Sequence, residues 1–235
     1  MRDPRTLTDA RLQLHWAAQL AAMPGRTLAP PRPDDSQASF RWMDGALVQE
    51  DDLRSGLRLR DLTLLLGDAE YPLDGRTLGD GFAWLAARLP RLRKVFDDPM
   101  PYHPVKEGAP FSLRDGQAFA ALSDCYAEAA RLLRAIHDDV RTWPHHFDIA
   151  TLLEFDGGKS IGAGLSPGDA SCDEPYWYVN HSPVASGNFP PLAGGGTWNT
   201  SGWIGAILPA SRGGDAQAFL DSAVAASRRL LELAE

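Results

Sequence analysis

The sequence predicts an α+β protein in which antiparallel sheets carry flanking helices, arranged as two similar helix, strands, helix halves. Three observations predict it. Apolar residues recur at helical spacing in four segments, near 8–23, 77–90, 112–137 and 215–233. Short strand-like runs bounded by Gly, Pro and Asp are grouped between those segments. The dipeptide Asp44-Gly45 sits between two such runs, a strong short-range signal for an antiparallel hairpin. The halves are residues 1–96 and 112–235, joined by a connecting loop at 97–111, and are expected to form one compact domain. Their similar order fits an old duplication, although no residue-level repeat relates them.

The elements follow in order. Thr8 is placed to cap the first helix, where Leu12, Trp16 and Leu20 make an apolar stripe, and Pro24-Gly25 is expected to end it near Met23. His15 and Gln19 are four apart and so stand one turn above the other beside that stripe. Between Gly56 and Gly67, Leu57 and Leu59 hold one alternation phase and Leu62, Leu64 and Leu66 the other. The slip near Arg60-Asp61 suggests a bulge or a strand buried on both faces. Thr77 caps a helix with Leu78, Phe82, Leu85 and Leu89, ending near Pro90. The 97–111 loop holds four prolines and His103. Ser112 with Asp115 resembles a capping box for a long helix through Phe119, Leu122, Tyr126, Leu133 and Ile136. Strand-like runs at about 146–155, 159–165, 175–180 and 203–208 precede a last helix from about Asp215 to Leu233.

Composition narrows the function classes. With 235 residues and 44% hydrophobic content the chain can bury a substantial core. No apolar run reaches the roughly 18 residues of a membrane helix, and nothing near Met1-Arg2-Asp3 marks the chain for export, so no membrane partner and a cytoplasmic location are expected. Cys125 and Cys172 are far apart and outside any Cys-x-x-Cys pair, which suggests ordinary thiols. A net charge of -8, with no basic cluster, argues against nucleic acid as a partner. Oligomeric state is not written in the sequence.

The densest chemistry lies in Trp143-Pro144-His145-His146-Phe147-Asp148, Ser166-Pro167-Gly168-Asp169 and Glu174-Pro175-Tyr176-Trp177-Tyr178. Read as a strand, the first box puts Trp143, His145 and Phe147 on one face and His146 with Asp148 on the other. Ser166 to Asp169 reads foremost as a turn. Tyr176 and Tyr178 share a strand face, where two phenols could orient a ligand. Gly164-Leu165-Ser166-Pro167-Gly168 fits Gly-x-Ser-x-Gly, yet Pro follows the Ser and no helix follows the turn, so a nucleophile elbow is poorly supported. The run Gly194-Gly195-Gly196 lacks the Lys-Ser/Thr of a phosphate loop and reads as a mobile loop over a pocket.

These residues carry a resemblance. Leu14-His15-Trp16, Asp34-Asp35-Ser36, His103-Pro104, Gly108-Ala109-Pro110-Phe111 and the three boxes occur in that order, followed by the strand at Trp203 and a closing helix. The chain resembles, over nearly its whole length, an uncharacterised family of bacterial proteins of unknown function. The resemblance implies boundaries and candidate positions, and no reaction.

Three functions stay open. The first is an enzyme on a small polar molecule, with His146, Asp148 and His103 as catalytic groups and His15, Gln19, Asp169, Glu174, Tyr176 and Tyr178 binding the ligand. His146 and Asp148, about 7 Å apart along a strand, also suit a divalent metal, as in a hydrolase, provided further ligands join them. The second is a non-catalytic small-molecule binding protein. The third is a structural or interaction protein whose His-Asp boxes stabilise the fold.

Overall fold

The computed structural model describes residues 4–185 and 188–233. Among them are four α-helices and two antiparallel sheets, an α+β fold. Contacts divide the chain into two units: Leu7–Ala127 with Arg141–Asp148, and Glu128–Val140 with the described residues up to Thr6 and from Ile149 on. No helix among the described residues is long and apolar enough to cross a membrane.

The first unit holds α1 (Thr8–Leu28), the strands β1 (Arg41–Met43), β2 (Ala46–Val48), β3 (Ser55–Arg58), β4 (Thr63–Leu66) and β5 (Ala69–Pro72), then α2 (Leu78–Ala86) and the start of α3 (Gly116–Arg134). The five strands form a meander in chain order. Met43 pairs with Ala46 across Asp44 and Gly45, whose φ angles of 49° and 85° make the primed turn that Asp-Gly favours. The leucine phase slip turns out to be a second hairpin: Leu57 pairs with Leu64, and Leu62 takes a φ of 52° at the corner between β3 and β4. A left-handed leucine is uncommon, which is why the pattern read as a bulge. Helix α1 packs on β3 and β4, and α2 approaches α1 so closely that a Cβ on Gly81 would stand 2.7 Å from Leu20 Cδ1. Each fully buried leucine in this layer contributes about 2 kcal/mol through removal from water.

Helix α1 differs from expectation at both ends. A 3-10 turn, Pro4–Leu7, runs straight into it, so Thr8 is not its cap. It also continues through Pro24-Gly25 to Leu28. Proline there removes one helical donor, and the Gly25 N–H donates to Gln49 Oε1 at 3.1 Å. The Ser55 hydroxyl supplies a donor to the Ala21 carbonyl at 2.8 Å. A Cβ on Gly25 would lie 2.0 Å from the Gln37 carbonyl oxygen, so glycine is required by close approach. Helix α2 begins as expected, with Thr77 and Asp80 capping each other reciprocally. For α3 the Asp115 carboxylate accepts from the Ala118 N–H, while the Ser112 N–H is held by Gln13, so Ser112 is not the cap.

The second sheet runs β10-β11-β9-β8-β7-β6, from β6 (Val140–Thr142), β7 (Ile149–Phe155), β8 (Lys159–Ser166), β9 (Tyr176–Ser182), β10 (Thr197–Asn199) and β11 (Gly205–Pro209). Its alternation buries Ile161, Ala163, Leu165 and Val179, and α4 (Ala216–Leu230) lies on β8, β9 and β11 through Phe219, Leu220, Ala223 and Ala226. Asp215 caps α4 through the Ala218 N–H. The triple glycine is packing, not a lid: a Cβ on Gly194 or Gly196 would strike Phe219 or Asp215, and the Gly194 carbonyl accepts the Asp215 N–H.

Candidate functional site

The nine candidate residues divide between the two units. His15, Gln19, His103, His146 and Asp148 belong to the first; Asp169, Glu174, Tyr176 and Tyr178 belong to the second.

The box at 143–148 is not a strand. Residues 144–146 form a turn, the Phe147 N–H donates to the Trp143 carbonyl at 2.8 Å, and β7 starts only at Ile149. Phe147 itself sits at φ 56°, a left-handed conformation that breaks the strand alternation assumed for His146 and Asp148. The surroundings hold it there. The Tyr126 hydroxyl donates to the Phe147 carbonyl, and Phe147 is 1% exposed, with the Tyr126 and His15 rings both against its own. Burial pushes the Tyr126 phenol well up, and the nearby Asp148 carboxylate adds to the shift. Phe147 is therefore a plug that pins the turn into the core. His145 and His146 remain exposed at its tip, ring centroids 4.5 Å apart. Partial burial, and then its neighbour His146, lower the His145 pKa.

His15 and Gln19 converge on this turn from α1. A carbonyl only accepts, so His15 Nε2 carries the proton it donates to the Pro144 oxygen at 2.8 Å. Burial lowers the His15 pKa to about 4, against the opposing pull of the Pro144 carbonyl and Asp97. Gln19 is fully buried and fully used. Its amide nitrogen donates to Pro144 O at 2.7 Å and Asp97 Oδ2 at 2.9 Å, and its oxygen accepts from the Asp97 N–H and Arg26 Nη1, each at 2.9 Å. Arg26 closes the circuit by pairing with Asp97. Helix, turn and the 97–111 loop are thereby tied at one polar knot inside the unit.

His103 serves elsewhere. Its Nδ1 accepts the Val105 N–H at 3.3 Å, which caps a short 3-10 turn and leaves Nε2 as the donor to Asp9 at 3.1 Å. In the second unit Asp169 accepts from the Ser171 and Cys172 N–H groups and, at 2.6 Å, from the Tyr176 hydroxyl. Burial and that bond push the Tyr176 phenol up. Glu174 accepts from the Ser211 N–H and hydroxyl, each at 2.7 Å. Tyr178 and Tyr176 do share a face, ring centroids 6.3 Å apart, and Tyr178 lies over Gly164, where a Cβ would meet its hydroxyl at 2.6 Å. Among the described residues no three His, Cys, Asp or Glu side chains gather as metal ligands would.

Sequence reasoning missed a cavity of about 670 Å³ in the first unit, beside the polar knot. Trp16, Phe96, Met100 and Leu78 supply apolar wall, and Lys94, Asp97, Asp98 and Lys106 supply charge. The available signal was the long proline-rich loop, since an ordered loop of that length is usually functional. His181 was also missed. It is buried, accepts the Ala185 N–H on Nε2, leaves Nδ1 without a partner among the described residues, and has its pKa lowered by burial. Comparison with protein-family models, with curated proteins and with solved structures finds no match to this chain.

Proposed function

We propose that this protein binds a small molecule in the cavity of its first unit without transforming it. The observation that supports this reading is the cavity itself. Its roughly 670 Å³ lies within the usual range for ligand sites, and it combines aromatic and aliphatic wall with a few charged groups. Of the candidates for acid/base chemistry, His15, His103, Asp169 and Glu174 spend polar atoms on internal hydrogen bonds. The test is a fragment screen by melting temperature and tryptophan fluorescence, run in parallel on Met100→Trp, which narrows the cavity. Ligands should stabilise the wild type and lose their effect in the variant. Silence across a broad library, or equal responses in both proteins, would sink the reading.

One observation favours an enzyme instead. His145 and His146 stand side by side in solvent, with Asp148 two residues on. On that reading His146 and Asp148 handle the proton of a small polar substrate, with or without a divalent metal. Turnover of any screened compound, abolished in His146→Ala at unchanged melting temperature, would establish it over simple binding.

A further inference from the structure

The charges around the cavity narrow what it would hold. Asp97 is neutralised by Arg26. Asp98 has no ion-pair partner among the described residues, and neither do the ammonium groups of Lys94 and Lys106. With Arg26, which is not itself in the lining, set against Asp97, the two lysines outnumber Asp98 by one positive charge around the cavity, in a chain whose net charge is -8. The N-terminus of α2 on the same wall is already capped by Thr77 and Asp80, so the attraction comes from the lysines.

Lys94, an exposed side chain, also stands against two rings. Its Nζ lies 5.8 Å from the Phe82 ring centroid and 5.7 Å from that of Phe96, so two aromatic faces stabilise the cation without consuming its hydrogen-bond donors. Phe96 lines the cavity, which places this ammonium next to apolar wall. A site of that kind favours a molecule with a flat or aliphatic body and a single acidic end: the body replaces water against Trp16, Phe96 and Met100, and the acid bonds the lysines. A dianion would meet Asp98, and an amine would meet two like charges.

Resting on the binding reading above, we infer that the ligand is an apolar organic monoanion, with a carboxylate paired to Lys94 and Lys106 and an aryl or alkyl body over Trp16 and Phe96. An isosteric trio tests it: 3-phenylpropionate, 3-phenylpropionamide and 3-phenylpropylamine, titrated against the full chain by calorimetry at low and moderate salt. The acid should bind about tenfold more tightly than the amide, with the amine weakest, because a charge-assisted bond is worth roughly twice a neutral one. Lys94→Gln and Lys106→Gln should each shrink the preference for acid over amide, and salt should shrink it too. Equal affinity for acid and amide, or a preference for the amine, overturns the anion assignment while leaving the cavity as a binding site. No binding by any of the three also overturns it, and the binding reading falls with it only if the fragment screen is silent as well.

Discussion

His15 lies nearly flat on Phe147, ring centroids 5.3 Å apart and planes 14° apart, while its Nε2–H holds the Pro144 carbonyl three residues upstream of that ring. One imidazole thus fixes both ends of a turn whose central histidines point to solvent.

The first consequence concerns Phe147. Truncation to Ala removes a buried ring and should cost about 3 kcal/mol in urea denaturation. Because the position is left-handed, Phe147→Gly should be no less stable than Phe147→Ala, reversing the usual order. An alanine variant more stable than the glycine one by about 1 kcal/mol would show that the backbone there is not limiting.

A second prediction is pH dependence. The His15 pKa falls from 6.5 to about 4 on folding, so between those values the unfolded chain binds a proton that the folded one refuses. Stability from this group is complete above pH 6.5 and is lost as pH falls toward 4, up to about 3 kcal/mol. His145 and His181 shift in the same direction and add to the slope. His15→Gln should flatten stability measured against pH across this window. Parallel curves for wild type and variant would refute the assignment to His15.

Gln19 is the third test. Gln19→Glu replaces the amide donor by a carboxylate facing Asp97 and the Pro144 oxygen, at a fully buried position. A loss of about 3 kcal/mol is expected, in line with an uncompensated buried charge. Lowering the pH should recover part of it by protonating the new acid. A variant as stable as wild type at neutral pH would mean that the knot does not tie the loop down.

The fourth separates structure from ligand binding in the second unit. Tyr176→Phe removes one of three donors to Asp169 and should cost about 1 kcal/mol. Asp169→Ala removes all three bonds and should cost more, and a double-mutant cycle should give the coupling of the pair. Full stability in Tyr176→Phe would show that the bond to Asp169 is not structural and leave the phenol to the ligand role the sequence suggests.

Elements with local determinants were legible. The Asp44-Gly45 hairpin, the Thr77 cap and strands β8, β9 and β11 lie close to where the pattern puts them, because turn chemistry and alternation act within a few residues. The failures have distant causes. Phe147 is held left-handed by Tyr126, 21 residues away in sequence, and α1 runs past Pro24 because Gln49 and Ser55 bond its backbone. Hydrogen bonds to partners as distant as Pro144 from His15 could not be seen, and they decide whether a histidine ties or reacts.

The proline in α1 also bears on the order of folding. An isolated helix gains stability by adding backbone bonds one after another, and α1 is interrupted at Pro24 in that series. Its final stretch, Gly25–Leu28, opens on the bond from the Gly25 N–H to Gln49 beyond β2, while Ser55 in β3 takes up the Ala21 carbonyl on the other side of Pro24, so the helix is completed only once the hairpin that carries both has formed. The amides of the two elements should then exchange with solvent as one cooperative block, distinct from the N-terminal turns of the same helix.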